Sequence, residues 1–275
     1  MQLAGVSNVA LKNVNSVQIA GVVNFGRDIG GLQLAGVLNA SYGYIDGSQI
    51  AGVLNTSRSV KSLQLAGVAN VTADTVYGAQ VASVFNFGRK VRGFQLALFN
   101  FGDSTSGTSI GLINLFWRGY NSLEVTTNEV LPMHVQLRMG GYHFYNIFGI
   151  GTQGFSTGNV WGYTYGMGTA IRLGRKRNLL HLDLTTTDLQ DDDSWFENVT
   201  PLVRFELNFA WGISRRFALF GGPSLNNFLF TDEDQIEYSF IQELAPYTMY
   251  EGKWKDWTIQ GWVGFNAGLR IHLYF

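Results

Sequence analysis

The residues best suited to chemistry in this 275-residue chain are two of its four histidines and the charged residues beside them. His181 and Asp183 are two positions apart, as are Arg270 and His272, so in a β-strand each pair lies on one face. A His–Asp pair beside a serine supports hydrolysis in many enzymes, but no serine stands out near either pair. The histidines also lack metal-ligand spacing. We therefore predict no catalytic residues, no metal site and no cofactor.

Three further segments resemble binding sites in composition only. GIGTQG at 149–154 matches G-x-G-x-x-G, which binds a dinucleotide only where a helix follows directly. The next residues, FSTGNVWGYTYG, predict a turn and a strand, so we interpret the motif as a hairpin loop. The acidic runs at 191–193, with Glu197, and at 231–237 match no calcium-binding spacing. We interpret both as solvated loops.

Composition narrows the class of protein. Charged residues make up 14% of the chain, against about 25% in typical soluble domains. The chain has 19 basic and 20 acidic residues, which argues against nucleic acid as a partner. It contains no cysteine, which excludes disulfides and thiolate metal sites. No apolar run is long enough to predict a transmembrane helix. No signal peptide is visible, which fits a cytoplasmic protein or one whose leader has been removed.

The first part of the chain repeats a seven-residue phrase of the form QxAGVxN. Its glutamines stand at 2, 18, 33, 49, 64, 80 and 95, so the spacing alternates between 16 and 15 residues. A fixed period of β-branched residues bounded by turn residues predicts a β-solenoid. In-register stacking places Gln on Gln and Asn on Asn, which predicts amide ladders. We expect the aliphatic residues to be buried between copies, with a β-bulge at each Ala-Gly step.

The later part of the chain consists of long alternating strands. One face is large, apolar and often aromatic, as in Val203, Phe205 and Trp211, and the other is small or charged. A crowded interior suits the second composition, and lipid suits the first, which is the pattern of a transmembrane β-barrel. Strands are predicted at about 133–147, 160–173, 179–187, 202–214, 216–230 and 257–275, with two weaker ones near 122–131 and 236–250. Eight strands leave an interior that side chains fill.

The same alternation turns a set of charged residues toward the barrel interior. The predicted interior polar cluster consists of Arg138, Arg172, His181, Asp183, Arg204, Glu206, Arg270 and His272. We interpret it as a network of opposite charges in preference to a catalytic site.

The chain also resembles a group of Gram-negative surface proteins. In these proteins, QxAGVxN-type repeats run into segments like SIGLINLFWRGYNSLEV and GGYHFYNIFGIG, followed by a barrel-like C-terminal half. The last residues, GLRIHLYF at 268–275, resemble the terminal strand signal that the outer-membrane barrel assembly machinery recognises. The resemblance implies a location in the outer membrane of a Gram-negative bacterium, and it supplies no catalytic residues.

Together these patterns predict an all-β chain with a β-solenoid over 1–118 and an antiparallel barrel of about eight strands over 119–275. The expected function is that of a non-enzymatic outer-membrane protein whose barrel anchors a repeat scaffold. Its expected partners are membrane lipid, the barrel assembly machinery and a protein bound to the solenoid. Two alternatives stay open: a soluble all-β adhesion or fibre protein, and a small barrel enzyme or narrow pore that acts on lipid or glycan.

Overall fold

A computed structural model describes residues 1–154, 160–174, 177–190, 201–231 and 245–273, which form strands and turns. Among these residues, no helix is long and apolar enough to cross a membrane. The acidic run at 191–193, Glu197, most of 231–237 and the last two residues lie outside the described part. Two compact units are present, and the first consists mainly of residues 1–120 together with 139–145.

The first unit is a parallel β-solenoid of short strands. The strands are β1 Gln2–Ala4, β2 Ser7–Val9, β3 Val17–Ala20, β4 Val23–Gly26, β5 Leu32–Ala35, β6 Leu38–Ser41, β7 Tyr44–Ile45, β8 Ser48–Ala51, β9 Leu54–Ser57, β10 Ser59–Val60, β11 Leu63–Ala66, β12 Ala69–Val76, β13 Ala79–Ala82, β14 Phe85–Val91, β15 Phe94–Leu96, β16 Phe99–Gly102, β17 Ser104–Thr105, β18 Thr108–Ile110 and β19 Ile113–Phe116. Every pairing among them is parallel, and the repeat residues pair in register between successive turns, which confirms the predicted solenoid.

Each turn of the solenoid has three sides. The first side is the sheet β1-β3-β5-β8-β11-β13-β15-β18, and the second is β2-β4-β6-β9-β12-β14-β16-β19. The third side contains β7, β10, β17 and the ends of β12 and β14. We define it as residues 10–16, 27–31, 42–47, 58–62, 73–78, 89–93, 103–107 and 117–119.

The solenoid interior is built on amides. The repeat glutamines from Gln18 to Gln95 and the repeat asparagines from Asn24 to Asn114 have no exposed surface. On the third side, a buried column that includes Ile29 and Ile45 supplies the apolar part of the interior. Buried amides are tolerated because each finds a partner in the adjacent turn. The two predicted ladders are therefore confirmed.

The two ladders run in opposite directions. Gln33 Nε2 donates to Gln18 Oε1 at 2.7 Å, so the glutamine amides donate toward the preceding turn. Asn39 Nδ2 donates to Asn55 Oδ1 at 3.0 Å, so the asparagine amides donate toward the following turn. Asn39 also donates to the backbone oxygen of Ile50 at 2.7 Å, which ties the second side to the first.

The placement of the aliphatic residues differs from the prediction. Strand alternation turns Gln and Ala inward on the first side, so the aliphatic residue between them points outward, as Leu34 does. The Ala-Gly step is also not a bulge, because it is the corner where the chain passes from the first side to the second. Glycine is needed there because turns stack closely: a Cβ on Gly36 would lie 2.2 Å from the backbone oxygen of Gly21.

The last turns modify the repeat. Ser109 replaces the ladder glutamine, and its hydroxyl donates to Gln95 Oε1 at 3.2 Å. Residues 139–145 belong to this unit, and within them Tyr142 and Tyr145 pack against Tyr120 with ring centroids 4.8 and 5.3 Å apart.

The second unit is a closed antiparallel barrel. Its strands are β20 Ser122–Asn128, β21 Met133–Gly140, β22 Tyr145–Thr152, β23 Trp161–Leu173, β24 Asn178–Gln190, β25 Pro201–Gly212, β26 Phe217–Thr231, β27 Tyr250–Trp254 and β28 Trp257–His272. In the described residues, eight of them close in the order β20-β21-β22-β23-β24-β25-β26-β28, with β28 pairing back to β20. β27 pairs with the first part of β28, outside this ring. The predicted eight-stranded barrel is confirmed.

The strands that form the barrel differ from the predicted strands in two places. The predicted strand 133–147 is two strands, because the backbone turns at Gly140, whose φ of 145° is open mainly to glycine. The predicted strand 236–250 lies largely outside the described residues. The strand β27 begins at its last residue. The two differences offset each other, which leaves the total at eight.

Candidate functional site

Six of the eight residues predicted as an interior polar cluster are buried in the barrel. They are Arg138, His181, Asp183, Arg204, Glu206 and Arg270. His272 is half buried near the end of β28, and its amide donates to the backbone oxygen of Arg216 at 2.8 Å. Arg172 is exposed because it lies at the end of β23, two residues before the turn at Gly174. The buried six form the centre of the candidate site.

Glu124 joins two arginines at the centre of the cluster. The Oε1 atom of Glu124 lies 2.6 Å from Arg138 Nε and also accepts from Arg270 Nε. Arg138 Nη1 donates to Asp183 Oδ2 at 2.8 Å, and Arg270 Nη1 contacts His181 Nε2. Register explains the convergence, since Glu124 is the direct cross-strand neighbour of Arg270. One carboxylate thus links three strands.

A second group is centred on Glu206, the cross-strand neighbour of Asp183. Glu206 Oε2 accepts from Asn208 Nδ2 at 3.1 Å and from Asn266 Nδ2 at 2.9 Å. Its other oxygen lies 3.5 Å from Arg204 Nη1. Arg204 in turn donates from Nε to Asn226 Oδ1 at 3.0 Å. Three arginines and three carboxylates therefore balance in charge inside the barrel.

His134 lies in the same interior but bonds to neutral partners. Its Nε2 is 3.0 Å from the Thr164 hydroxyl, and its Nδ1 is 3.3 Å from Gln136 Nε2. Gly149 and Gly151 of GIGTQG make room for this ring, because a Cβ on either would lie within 3 Å of it. Both glycines belong to β22, so the motif has a packing role inside a strand.

The barrel interior also contains a cluster of buried apolar side chains, which we call the apolar layer. It consists of Val130, Leu131, Val160, Leu189, Leu202, Phe228, Phe230 and Trp262. Trp262 has no exposed surface, and its indole Nε1 donates to Glu129 Oε1 at 3.1 Å. Ionic groups and apolar side chains together occupy the lumen along the described strands.

The chemistry of the cluster is that of a structural ion-pair network. Removing a carboxylate or guanidinium from water is costly, and pairing with opposite charge offsets that cost. Each of the three carboxylates is engaged by arginine or asparagine, and His181 faces the Arg270 guanidinium. Within the described residues, no group of three His, Asp or Glu side chains is arranged to hold a metal ion. The arrangement joins β20, β21, β24 and β28 through paired charges.

Sequence reasoning missed several members of the network, above all Glu124. The available signal was its place in SLEVT, where Glu124 alternates with Leu123 and Val125. The asparagines that bind Glu206 and Arg204 were missed because an isolated amide carries no comparable signal. Strand register, which sequence alternation does not give, decides which of them meet.

The outer surface of the barrel is apolar. Along β25, Phe205 is 50% exposed and Trp211 is 65% exposed, while Arg204 and Glu206, on either side of Phe205, point inward. The same alternation leaves Leu184 of β24 and Leu219 of β26 on the outside. The barrel is thus inverted relative to a water-soluble protein, because the charged side chains point into the interior and large apolar side chains cover the outer surface.

Comparisons of the chain with protein-family models, with curated proteins and with solved structures found no match.

Proposed function

We propose that this chain is a non-enzymatic outer-membrane protein in which the barrel is the lipid anchor and the solenoid is a repeat scaffold with a structural or interaction role. The proposal includes location in the outer membrane of a Gram-negative bacterium. It also includes recognition of the C-terminal strand by the barrel assembly machinery and a protein partner on the solenoid, with no role for nucleic acid.

The inverted barrel is the observation that carries the proposal. Exposed apolar patches on soluble monomers rarely exceed roughly a few hundred Å², whereas large apolar side chains cover the outside of successive strands here. Strands β23 to β26 and β28 are 12 to 16 residues long. A tilted strand needs about 9–11 residues to cross the hydrocarbon core. Closure of the ring leaves no open sheet edge to lipid.

Exposed aromatic residues near strand ends also support a membrane anchor. Trp211 lies at the end of β25 and Trp254 lies at the β27–β28 turn, and both are largely exposed. Aromatic side chains of this kind concentrate at the two membrane–water interfaces of outer-membrane barrels. A soluble adhesion or fibre protein would need a second layer over these residues.

The filled lumen favours an anchor over a pore or an enzyme. The ionic network and the apolar layer place buried side chains inside the barrel, as expected of eight strands, whose interior is filled by side chains. The histidines inside the barrel bond to protein groups. The proposal therefore assigns them a structural role.

Depth-dependent charge substitution tests the proposal. Leu207 lies at the middle of β25 and Leu173 lies at the end of β23, and both are similarly exposed. In lipid, Leu207→Arg should destabilise the barrel by about 2–4 kcal/mol and Leu173→Arg by about 0–1 kcal/mol. The measurements are unfolding of each variant in vesicles and heat-modifiable gel migration. Equal, negligible effects of both changes, or a protein that stays monodisperse without detergent, would contradict a membrane anchor.

A further inference from the structure

The charged residues of the solenoid are confined to one of its three sides. Residues 1–118 contain eight lysines and arginines and four aspartates, a formal charge of +4. Every one of them lies on the third side. Some are paired there, as in Lys61 with Asp46 at 2.7 Å and Arg89 with Asp74 at 2.6 Å. The Arg118 guanidinium, which binds Asp103, holds the pKa of that carboxyl below its usual range, so Asp103 stays ionised at neutral pH.

The other two sides form one continuous apolar shell. On the first side, the outward position after each ladder residue is aliphatic, as in Leu34 and Leu65, and the outward position before it is apolar in most turns. At the corner with the second side stands a column of exposed residues: Val6, Val22, Val37, Val53, Val68, Val84, Leu98 and Leu112. The second side continues the shell with residues such as Leu54 and Phe87. No charged residue interrupts the shell in any turn, and exposed apolar surface of this kind marks a site of interaction with protein or membrane.

In cross-section this unit is a wedge with an apolar apex. The corner column forms the apex, and the charged third side forms the opposite base. Strands β3 to β16 of the first two sides have a partner on both edges, so their backbone groups are satisfied without water. Amphipathic helices bind at a lipid interface with the apolar face about 5–10 Å deep, and this unit shows the same separation of apolar and charged surface. Cations on the base complement anionic headgroups.

An aromatic groove marks the border between shell and base. Phe85, Phe87, Phe101, Leu115 and Trp117 line a groove of about 500 Å³ whose edge is Asp103. Trp117, 57% exposed, lies beside the Arg118–Asp103 pair. A tryptophan between an apolar surface and a charged one is the arrangement found at membrane–water interfaces.

From this distribution we infer that the solenoid itself binds an anionic lipid surface, with the apolar corner in the acyl layer and the third side toward the headgroups and water. The inference rests on the proposed function, which supplies the membrane. The solenoid axis lies parallel to the membrane plane. A perpendicular axis would carry the charged third side through the hydrocarbon core, because it runs the length of the unit.

Single-site fluorescent labelling of the full chain tests this inference. The native chain has no cysteine, so one introduced cysteine gives one labelled position. The variants are Val53→Cys at the apex, Arg58→Cys on the third side of the same turn, and Leu184→Cys on the barrel exterior. Each is reconstituted in phosphatidylglycerol-containing vesicles and exposed to brominated-lipid and water-soluble quenchers. Circular dichroism and heat-modifiable migration confirm that each labelled protein is folded.

The expected result is that brominated lipid quenches the labels at 53 and 184 several-fold more than the label at 58, and that the water-soluble quencher shows the reverse order. A label at 53 open to the water-soluble quencher, with 184 quenched by lipid, overturns the inference and leaves the barrel anchor standing. A label at 53 shielded from both quenchers also overturns it, because protein then covers the shell. If the label at 184 is also open to the water-soluble quencher, the proposal that the barrel is a membrane anchor is contradicted as well.

Discussion

The glutamine ladder provides the sharpest test of how the solenoid is stabilised. Gln64 Nε2 donates to Gln49 Oε1 at 2.7 Å and to Ser57 Oγ at 3.1 Å. Gln64 Oε1 accepts from Gln80 Nε2 at 2.9 Å and from Thr72 Oγ1 at 3.1 Å. Gln64→Met keeps the length of the side chain and removes all four bonds. Methionine is apolar, so any loss of stability reports the ladder and not the packing volume.

The expected loss follows from which partners are left without a bond. Gln80 Nε2 keeps the Thr72 hydroxyl at 3.0 Å, and Ser57 keeps the same hydroxyl at 3.1 Å. Gln49 Oε1 loses its donor in a site with no exposed surface. One orphaned buried acceptor costs about 1–3 kcal/mol. Gln64→Glu should cost more, because it places an unpaired carboxylate against that acceptor.

Hydrogen exchange of the full chain in detergent is the assay, followed on peptides from the central turns. When exchange reports the opening equilibrium, a loss of 1–3 kcal/mol accelerates it by about 5- to 150-fold. Leu65→Met, on the exposed face of the same strand, is the control and should leave the rate near that of the native chain. Native exchange rates in both Gln64 variants would refute the view that the buried amides stabilise the stack.

Two further predictions concern the corner and the barrel. Gly36→Ala places a Cβ 2.2 Å from the backbone oxygen of Gly21 and should destabilise the central turns by about 1–3 kcal/mol. Gly5→Ala is the control, because its new methyl meets nothing within 4 Å. If Gly36→Ala and Gly5→Ala change the exchange rate equally, close stacking is not the reason for glycine at the corner. Glu124→Gln removes the negative charge that two buried guanidiniums share, leaving Arg138 paired with Asp183, and should destabilise the barrel by about 3–5 kcal/mol. Urea unfolding measures the loss, and the exposed Glu251→Gln is the control; a change no larger than that of the control would show that the pairs are unimportant.

The period of the repeat was sufficient to predict the solenoid, because in-register stacking of identical strands follows from identical phrases. It was not sufficient to predict which residues face inward. The rule that apolar residues are buried predicts that Leu34 faces inward and Gln33 faces outward. The structure reverses that order, because each buried amide is satisfied by its neighbours in adjacent turns. Sequence alone does not show that satisfaction, since it depends on the spacing between turns.

In the barrel, alternation predicted both the closed fold and most of the buried charges. The failures lie where local geometry overrides the pattern. Gly140 breaks a run that reads as one strand, and Arg172 follows the alternation but lies too near the strand end to be enclosed. Glu124 was missed because its strand is short and weakly patterned. Its role depends on the closure of β20 onto β28, which joins residues far apart in the chain.

The opposed directions of the two amide ladders have an electrical consequence. In an α-helix, aligned peptide dipoles add up along the axis and leave partial charges at the two ends. Here the glutamine column points its dipoles one way and the asparagine column points its own the other way. Their moments subtract in every turn. A stack of this design can gain or lose repeats without its two amide columns adding up to a dipole field at either end.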